Sequence, residues 1–322
     1  MSSTTIRWGI IATGTISRQM AEDLLLVDGA EIVAVASRDV ERANMFADEF
    51  GIPLRYGSIA ELLASEVDAV YIGTPHATHF SIARDALLAG KHVLCEKPMG
   101  LSAAEVRELA STAAQRGCFL MEAMWMKFNP LIVRLQQLVA SGRIGELRSV
   151  TASFGVPFPR DDSSRWKAEM FGSTLLDQGI YPVTLAHLLL GVPERIEAAG
   201  VVRVDGVDLS EHYTLSYAEG RFARGASSMV EFLDLTAAVC GTGGWITIEA
   251  PFWASAKLTV RNPFAGDAGN EVIETAWEGH GYVPMLRAVT ASIGAGDLES
   301  AVHTNAAAAA VFDSLDEIRQ RL

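Results

Sequence analysis

His92-Val93-Leu94-Cys95-Glu96-Lys97-Pro98 decides how the first half of this chain is read. Three apolar residues run directly into an acid, a base and a proline. A short aliphatic run bounded in this way reads as a buried parallel strand. Gly90 closes the helix before it, and Pro98 ends the strand because it has no amide to give a ladder. Lys97 therefore belongs at the carboxyl end of a sheet strand, where open α/β sheets place their ligands. A lysine there either snorkels to the surface, pairs with Glu96, or serves a site.

Outward from that stretch the pattern repeats. Residues 6–12 form an apolar strand that turns through Thr13-Gly14-Thr15 into a helix carrying Ile16, Met20, Leu24 and Leu25. Strands follow at 31–37, 68–74 and 118–122, with helices at 40–50, 78–89 and 103–116. Strand and helix alternating at this spacing predict a doubly wound parallel sheet of the Rossmann type over residues 1–123. After Glu122 the rhythm changes. A helix at 130–140 leads to extended runs at 146–156, 196–204, 212–217, 225–232, 245–249 and 258–261, separated by turn residues. Residues 124–322 thus read as an α+β domain with a large, mostly antiparallel open sheet. Helices at 172–190, 283–293 and 305–322 complete it.

Composition narrows the function. The 322 residues are 49% hydrophobic with a net charge of −13. Acid outnumbers base in both halves, which disfavours nucleic acid as a partner. No apolar run is long enough to span a bilayer, and the start, Met1-Ser2-Ser3-Thr4-Thr5-Ile6-Arg7, lacks the apolar core of a signal peptide. Three cysteines (Cys95, Cys118, Cys240) without a Cys-x-x-Cys pair fit a reducing, cytoplasmic setting and no structural zinc.

The first βα turn carries the nucleotide reading. A dinucleotide fingerprint asks for Gly-x-Gly-x-x-Gly/Ala; here Ala12-Thr13-Gly14-Thr15-Ile16-Ser17 keeps only the middle glycine. That glycine lets the backbone approach a pyrophosphate, and the small Ala12 and Ser17 keep a tight turn feasible. At the end of the second strand, NAD sites usually place an acid for the ribose hydroxyls. This chain has Ser37 and Arg38, with Arg42 one turn on, while Asp39 suits the cap of the helix beginning at Val40. A guanidinium fork fits a 2′-phosphate, so NADP is expected over NAD. Thr74, Pro75 and His76 should border the nicotinamide ribose. The His76/His79 spacing could suggest a metal, but no further ligand cluster completes a site, and none is expected.

In the second half, Leu175-Leu176-Asp177-Gln178-Gly179-Ile180-Tyr181 is the most informative stretch. Asp177 and Tyr181 are spaced for one helix face. Gly179 costs a helix about 1 kcal/mol relative to alanine, which suggests that something packs closely there, such as a flat nicotinamide or sugar ring.

Together these stretches resemble a known family. Cys95-Glu96-Lys97-Pro98-Met99-Gly100 after Ala89-Gly90-Lys91-His92-Val93 resembles the hallmark of the glucose–fructose oxidoreductase, inositol dehydrogenase and rhizopine-catabolism oxidoreductase family. Trp8-Gly9-Ile10, Ala34-Val35-Ala36-Ser37-Arg38, Met121-Glu122-Ala123-Met124-Trp125 and the Leu175–Tyr181 stretch look most similar to its dihydrodiol and NADP-dependent D-xylose dehydrogenase branch. Many members have histidine where this chain has Tyr181. The resemblance implies a dehydrogenase acting on a sugar, polyol or cyclic diol, with Lys97 and Tyr181 beside the reacting carbon, and Glu96 and His79 near the cofactor. Chemistry agrees, because an alcohol carbon gives up hydride only as its hydroxyl loses a proton. Tyr181 is the expected acid/base with Lys97 lowering its pKa, or the reverse, since such a pair titrates as one unit. Asp177 would orient Lys97 or a substrate hydroxyl. Trp125, Phe154 and Trp166 are candidate pocket walls. The resemblance also implies a homodimer through the second sheet. A cofactor-binding sensor without chemistry is the competing reading, and reduction of an imine or enoyl substrate a third.

Overall fold

The computed structural model describes residues 5–322, so the first four residues of the expected leaderless start lie outside it. The chain forms two compact units. One comprises the chain through Phe128 together with Trp277–Ala309; the other comprises Asn129–Ala276 and Ala310–Leu322. The expected division gave all of 124–322 to the second domain. The return of 277–309 to the first unit changes that, because Asp23 accepts the backbone N–H groups of His280 (2.7 Å) and Tyr282 (2.8 Å).

In the first unit, β1 (Ile6–Ile11), α1 (Thr15–Leu24), β2 (Ala30–Ala36) and α2 (Val40–Phe50) follow the expected order. Next come β3 (Leu54–Tyr56), α3 (Ile59–Leu63), β4 (Ala69–Ile72), α4 (His79–Leu88), β5 (His92–Cys95), α5 (Ala103–Arg116) and β6 (Leu120–Glu122). The sheet order is β3-β2-β1-β4-β5-β6, all parallel. The order reverses between β1 and β4, which is the switch point where such sheets take nucleotides. Trp8, Ile10, Ile11, Val35, Tyr71, Ile72, Val93 and Leu94 are buried, as expected for strands covered on both faces. β3 and α3 were not legible in the sequence. Three residues with an exposed Leu54 at the sheet edge show no alternation to read.

The second unit opens with α6 (Pro130–Ala140) and is built on β7 (Leu147–Gly155). It continues through α7 (Ile180–Leu190), β8 (Arg195–Val202), β9 (Asp208–Ser216), β10 (Phe222–Ser228), β11 (Ala237–Gly241), β12 (Gly244–Ile248), β13 (Lys257–Arg261) and β14 (Glu271–Glu274). The eight strands lie in the order β14-β13-β12-β11-β7-β10-β9-β8. Within this second sheet, β7 and β10 are the only described neighbours that pair in parallel. α7 packs on β7 and β10. The extended run expected to reach Phe232 stops at Ser228. Met229-Val230-Glu231-Phe232 is rich in strand-forming apolar residues, but it leaves the sheet and Phe232 is exposed. β11 and β14 were also missed. β11 is the first arm of a hairpin closed by Thr242-Gly243, of which the sequence reading saw only the turn. α8 (Val283–Ala295) and α9 (Asn305–Gln320) close the chain.

Candidate active site

At the first βα turn, Ala12 holds a backbone φ of 93°, in the region that favours glycine and where the fingerprint places one. Gly14 is the N-cap of α1 and supplies no side-chain cap, and no acid stands in the first turn. A Cβ on Gly14 would meet nothing within 4 Å. Neighbouring helices differ: α2, α3 and α5 are capped by Asp39, Ser58 and Ser102. The amides of α1 thus keep an open, positive end suited to a phosphate. Ser17, at the third fingerprint position, is fully buried. It is accommodated by Gly73, where a Cβ would stand 2.6 Å from Ser17 Oγ.

Ser37, Arg38 and Arg42 follow β2, and both arginines are exposed. Asp39 accepts the Glu41 amide at 3.0 Å, so its carboxylate is engaged as the helix cap. Arg42 Nε stands 3.6 Å from that same carboxylate. These residues fit a 2′-phosphorylated nucleotide: both arginine side chains reach solvent, and the Asp39 carboxylate is already committed as the helix cap.

After β4, Thr74 and Pro75 lead into a short turn at His76–Thr78. Thr78 Oγ1 donates to Thr74 Oγ1 at 2.8 Å. His79 is fully buried, and its two ring nitrogens face the carbonyls of Pro98 (2.7 Å) and Thr74 (2.6 Å). The ring therefore ties the end of β4 to the Lys97–Pro98 turn. Two facing carbonyls favour the doubly protonated ring, but burial outweighs them and moves its pKa below the ordinary value. Among the described residues, no group of three His, Cys, Asp or Glu side chains is arranged to hold a metal.

Beyond β5, Glu96 is buried while Lys97 is half-buried. The Glu96 carboxylate accepts the Tyr71 hydroxyl at 2.9 Å and the Lys97 amide at 3.2 Å. Burial pushes its pKa up to about 7, against the pull of the Lys97 ammonium and the Tyr71 hydrogen bond. Trp125 sits in this unit, 5.1 Å edge-on from Tyr282 and 6.1 Å from Trp277 between ring centroids.

In the second unit the expected continuous helix over 172–190 is interrupted. Leu175–Gly179 form a π-helical turn, and α7 begins only at Ile180. Such turns recur at functional sites. The wider turn means the four-residue spacing of Asp177 and Tyr181 does not carry the simple one-face meaning of an α-helix. Asp177 accepts from Arg165 Nε at 2.9 Å, and Arg165 lies 3.7 Å over the Phe158 ring. Asp208 supports the turn by accepting the Leu175 amide at 2.7 Å. The close neighbours of Gly179 are protein side chains rather than a ligand ring: an added Cβ would stand 2.6 Å from Ser227 Oγ and 2.9 Å from Leu175 Cδ1.

Tyr181 is buried in the first turn of α7, and its ring centroid lies 5.9 Å from both Phe154 and Trp253. Phe154 and Trp253 stack with centroids 3.6 Å apart and planes at 10°. Phe154, one of the candidate pocket walls, thus stands beside Tyr181. Trp166 does not: it packs with Val207 and Met229 in a small apolar cluster, its indole N–H on the Pro159 carbonyl. Sequence reasoning overlooked Trp253 and Arg165. Trp253 reaches Phe154 from the short turn between β12 and β13, and no local spacing marks that partnership.

Comparison with known proteins identifies the family of both domains. Residues 6–124 match the model described as the oxidoreductase family with an NAD-binding Rossmann fold, and 132–247 match the GFO/IDH/MocA C-terminal domain. The chain is 37% identical to trans-1,2-dihydrobenzene-1,2-diol dehydrogenase of Sus scrofa, over 98% of this chain and 97% of that protein. It is 40% identical to the Mus musculus enzyme of the same name over 79% and 78%. Among solved structures, KijD10, a 3-ketoreductase from Actinomadura kijaniata in complex with NADP and TDP-benzene, superposes with a TM-score of 0.87 at 27% identity, over 98% of each chain. Levoglucosan dehydrogenase shares the fold, with a TM-score of 0.88 at 18% identity over 98% and 96%. The match of both domains, with 37% identity over nearly the whole chain, makes this chain a member of the Gfo/Idh/MocA oxidoreductase family.

Proposed function

We propose that this oxidoreductase is an NADP-dependent dehydrogenase of a sugar, polyol or cyclic diol, with Tyr181 and Lys97 as its acid/base pair. The bound nicotinamide supplies the two-electron acceptor. The amides of Thr13, Gly14, Thr15 and Ile16 would hold its pyrophosphate, and Ser37, Arg38 and Arg42 the 2′-phosphate. Thr74, Pro75, His76 and Glu96 would border the nicotinamide ribose. Tyr181 takes the substrate hydroxyl proton, and the Lys97 ammonium favours the phenolate that makes this possible. Asp177, braced by Arg165, orients a substrate hydroxyl. Phe154 and Trp253 offer a flat wall beside Tyr181, suited to the face of a ring.

The observation that carries this reading is the pairing of Tyr181 with that stacked aromatic wall. The dihydrodiol dehydrogenase relatives support the substrate class, and the NADP complex of KijD10 supports the cofactor. A screen of aldoses, inositols and dihydrodiols with NADP, followed by absorbance of the reduced cofactor, tests it. Turnover of at least one class is expected. Tight NADPH binding with no turnover on any class would favour a sensor instead. Pairing of two chains through the second sheet belongs to the same proposal; its outward side chains include the exposed Val201, Trp245 and Val272.

A further inference from the structure

Behind the Lys97-Pro98-Met99 turn lies a chain of ionisable side chains that the chemistry above does not employ. Glu122 ends β6, beside Cys95 in the sheet register. Its Oε1 accepts the Met99 backbone N–H at 3.0 Å, and its Oε2 faces His303 Nε2 at 3.1 Å. The other ring nitrogen, Nδ1, stands 3.2 Å from Lys127 Nζ. Glu122 is 1% exposed, His303 2% and Lys127 7%.

The partners fix where the protons sit. An ammonium only donates and an ionised carboxylate only accepts, so the ring between them is neutral, with its hydrogen on Nε2 and its lone pair on Nδ1. Burial pushes His303 toward that neutral form. It also lowers Lys127 to about 8, with the Glu122 carboxylate holding the ammonium charged against it. A buried ion pair is weak as a source of stability, because desolvation offsets its attraction. This one spans an imidazole drawn from 181 residues further along the chain. Its free end grips the backbone two residues after Lys97.

We propose that Glu122, His303 and Lys127 are a positioning set that fixes the Lys97–Met99 turn and so sets where the Lys97 amino group stands. The proposal rests on the reading of Lys97 as an active-site group. Glu122 is the clamp, His303 holds the clamp's second oxygen, and Lys127 holds the ring in its Nε2–H tautomer.

Two substitutions at one position separate this role from packing. His303→Gln keeps an N–H for Glu122 and an acceptor for Lys127, whereas His303→Leu fills the space and keeps neither. Hydrogen exchange of the cofactor-free protein, read on the peptide covering 97–101, should match wild type in His303→Gln. It should be at least about 10-fold faster in His303→Leu. With the best substrate, kcat should fall about 10-fold or more in His303→Leu and less than about 3-fold in His303→Gln, with the NADP dissociation constant unchanged in both. The opposite order, Leu tolerated and Gln damaging, would show a packing residue and overturn the proposal; so would unchanged exchange in His303→Leu.

Should His303→Leu fail to fold, Glu122→Gln serves. Its amide forces the ring to the other tautomer and turns an N–H toward Lys127. Exchange of 97–101 should rise, and adding Lys127→Met should bring it part of the way back. No recovery in the double variant would count against the set. A wild type that turns over no sugar or diol defeats the proposed activity alone, since the exchange experiment still decides this one.

Discussion

The Tyr71 hydroxyl donates to Oε1 of Glu96 at 2.9 Å, joining neighbouring strands β4 and β5 directly before Lys97. The bond stabilises the ionised carboxylate, yet burial prevails and Glu96 titrates at about 7. A carboxyl whose folded pKa exceeds its unfolded value contributes stability that is full below about 4.5 and is lost as pH rises toward 7. Glu96→Gln removes that dependence. Its unfolding free energy relative to wild type should therefore improve between pH 5 and pH 8 by an amount on the order of 1–3 kcal/mol. Denaturant titrations at the two pH values measure it; a difference that does not change with pH would contradict the assignment.

Arg38→Ala tests the cofactor phosphate. A charge-assisted hydrogen bond is worth about 1.5–3 kcal/mol, so KM for NADP should rise roughly 10- to 100-fold. KM for NAD, which lacks the phosphate, should stay within about 2-fold. Steady-state kinetics with both cofactors checks this, and a wild type that prefers NAD would refute it.

Gly179→Ala sets two effects against each other. Helix propensity favours alanine by about 1 kcal/mol. The new Cβ, however, would press on Ser227 Oγ at 2.6 Å and Leu175 Cδ1 at 2.9 Å. Overpacking of this kind costs about 1–3 kcal/mol, so a net loss of stability is expected. Adding Ser227→Ala, which removes the closest atom, should recover part of it in equilibrium unfolding.

Trp253→Ala removes one half of the stack with Phe154. Aromatic pairs contribute about 0.5–1.5 kcal/mol beyond area, so KM for a cyclic substrate should rise roughly 2- to 10-fold. The dissociation constant for NADPH, followed by fluorescence, should not move.

Much of this architecture was legible because it rests on local periodicity. The strands through Val35, Tyr71 and Leu94 are buried on both faces, and their unbroken apolar runs announce it. Asp39 as a cap and Gly14 before α1 could likewise be read from neighbours in sequence. What escaped was set by distance along the chain. The return of His280 and Tyr282 to Asp23 depends on backbone amides, which no residue pattern advertises. The stack of Trp253 on Phe154 and the pairing of Arg165 with Asp177 join residues that share no element. The π-helical turn at Leu175–Gly179 was hidden because its residues are ordinary helix formers apart from Gly179. The close approach that this glycine signals is made by Ser227 and Leu175, which no neighbouring residue pattern reveals.

The most direct measurement is turnover of Lys97→Met and Tyr181→Phe beside their affinity for NADP. Loss of a positioned acid/base group costs about 10²- to 10⁴-fold in rate, so each variant should lose most of kcat while binding NADP as wild type does. Near-normal turnover in either one would remove that residue from the chemistry and leave the proposed dehydrogenase without its proton path.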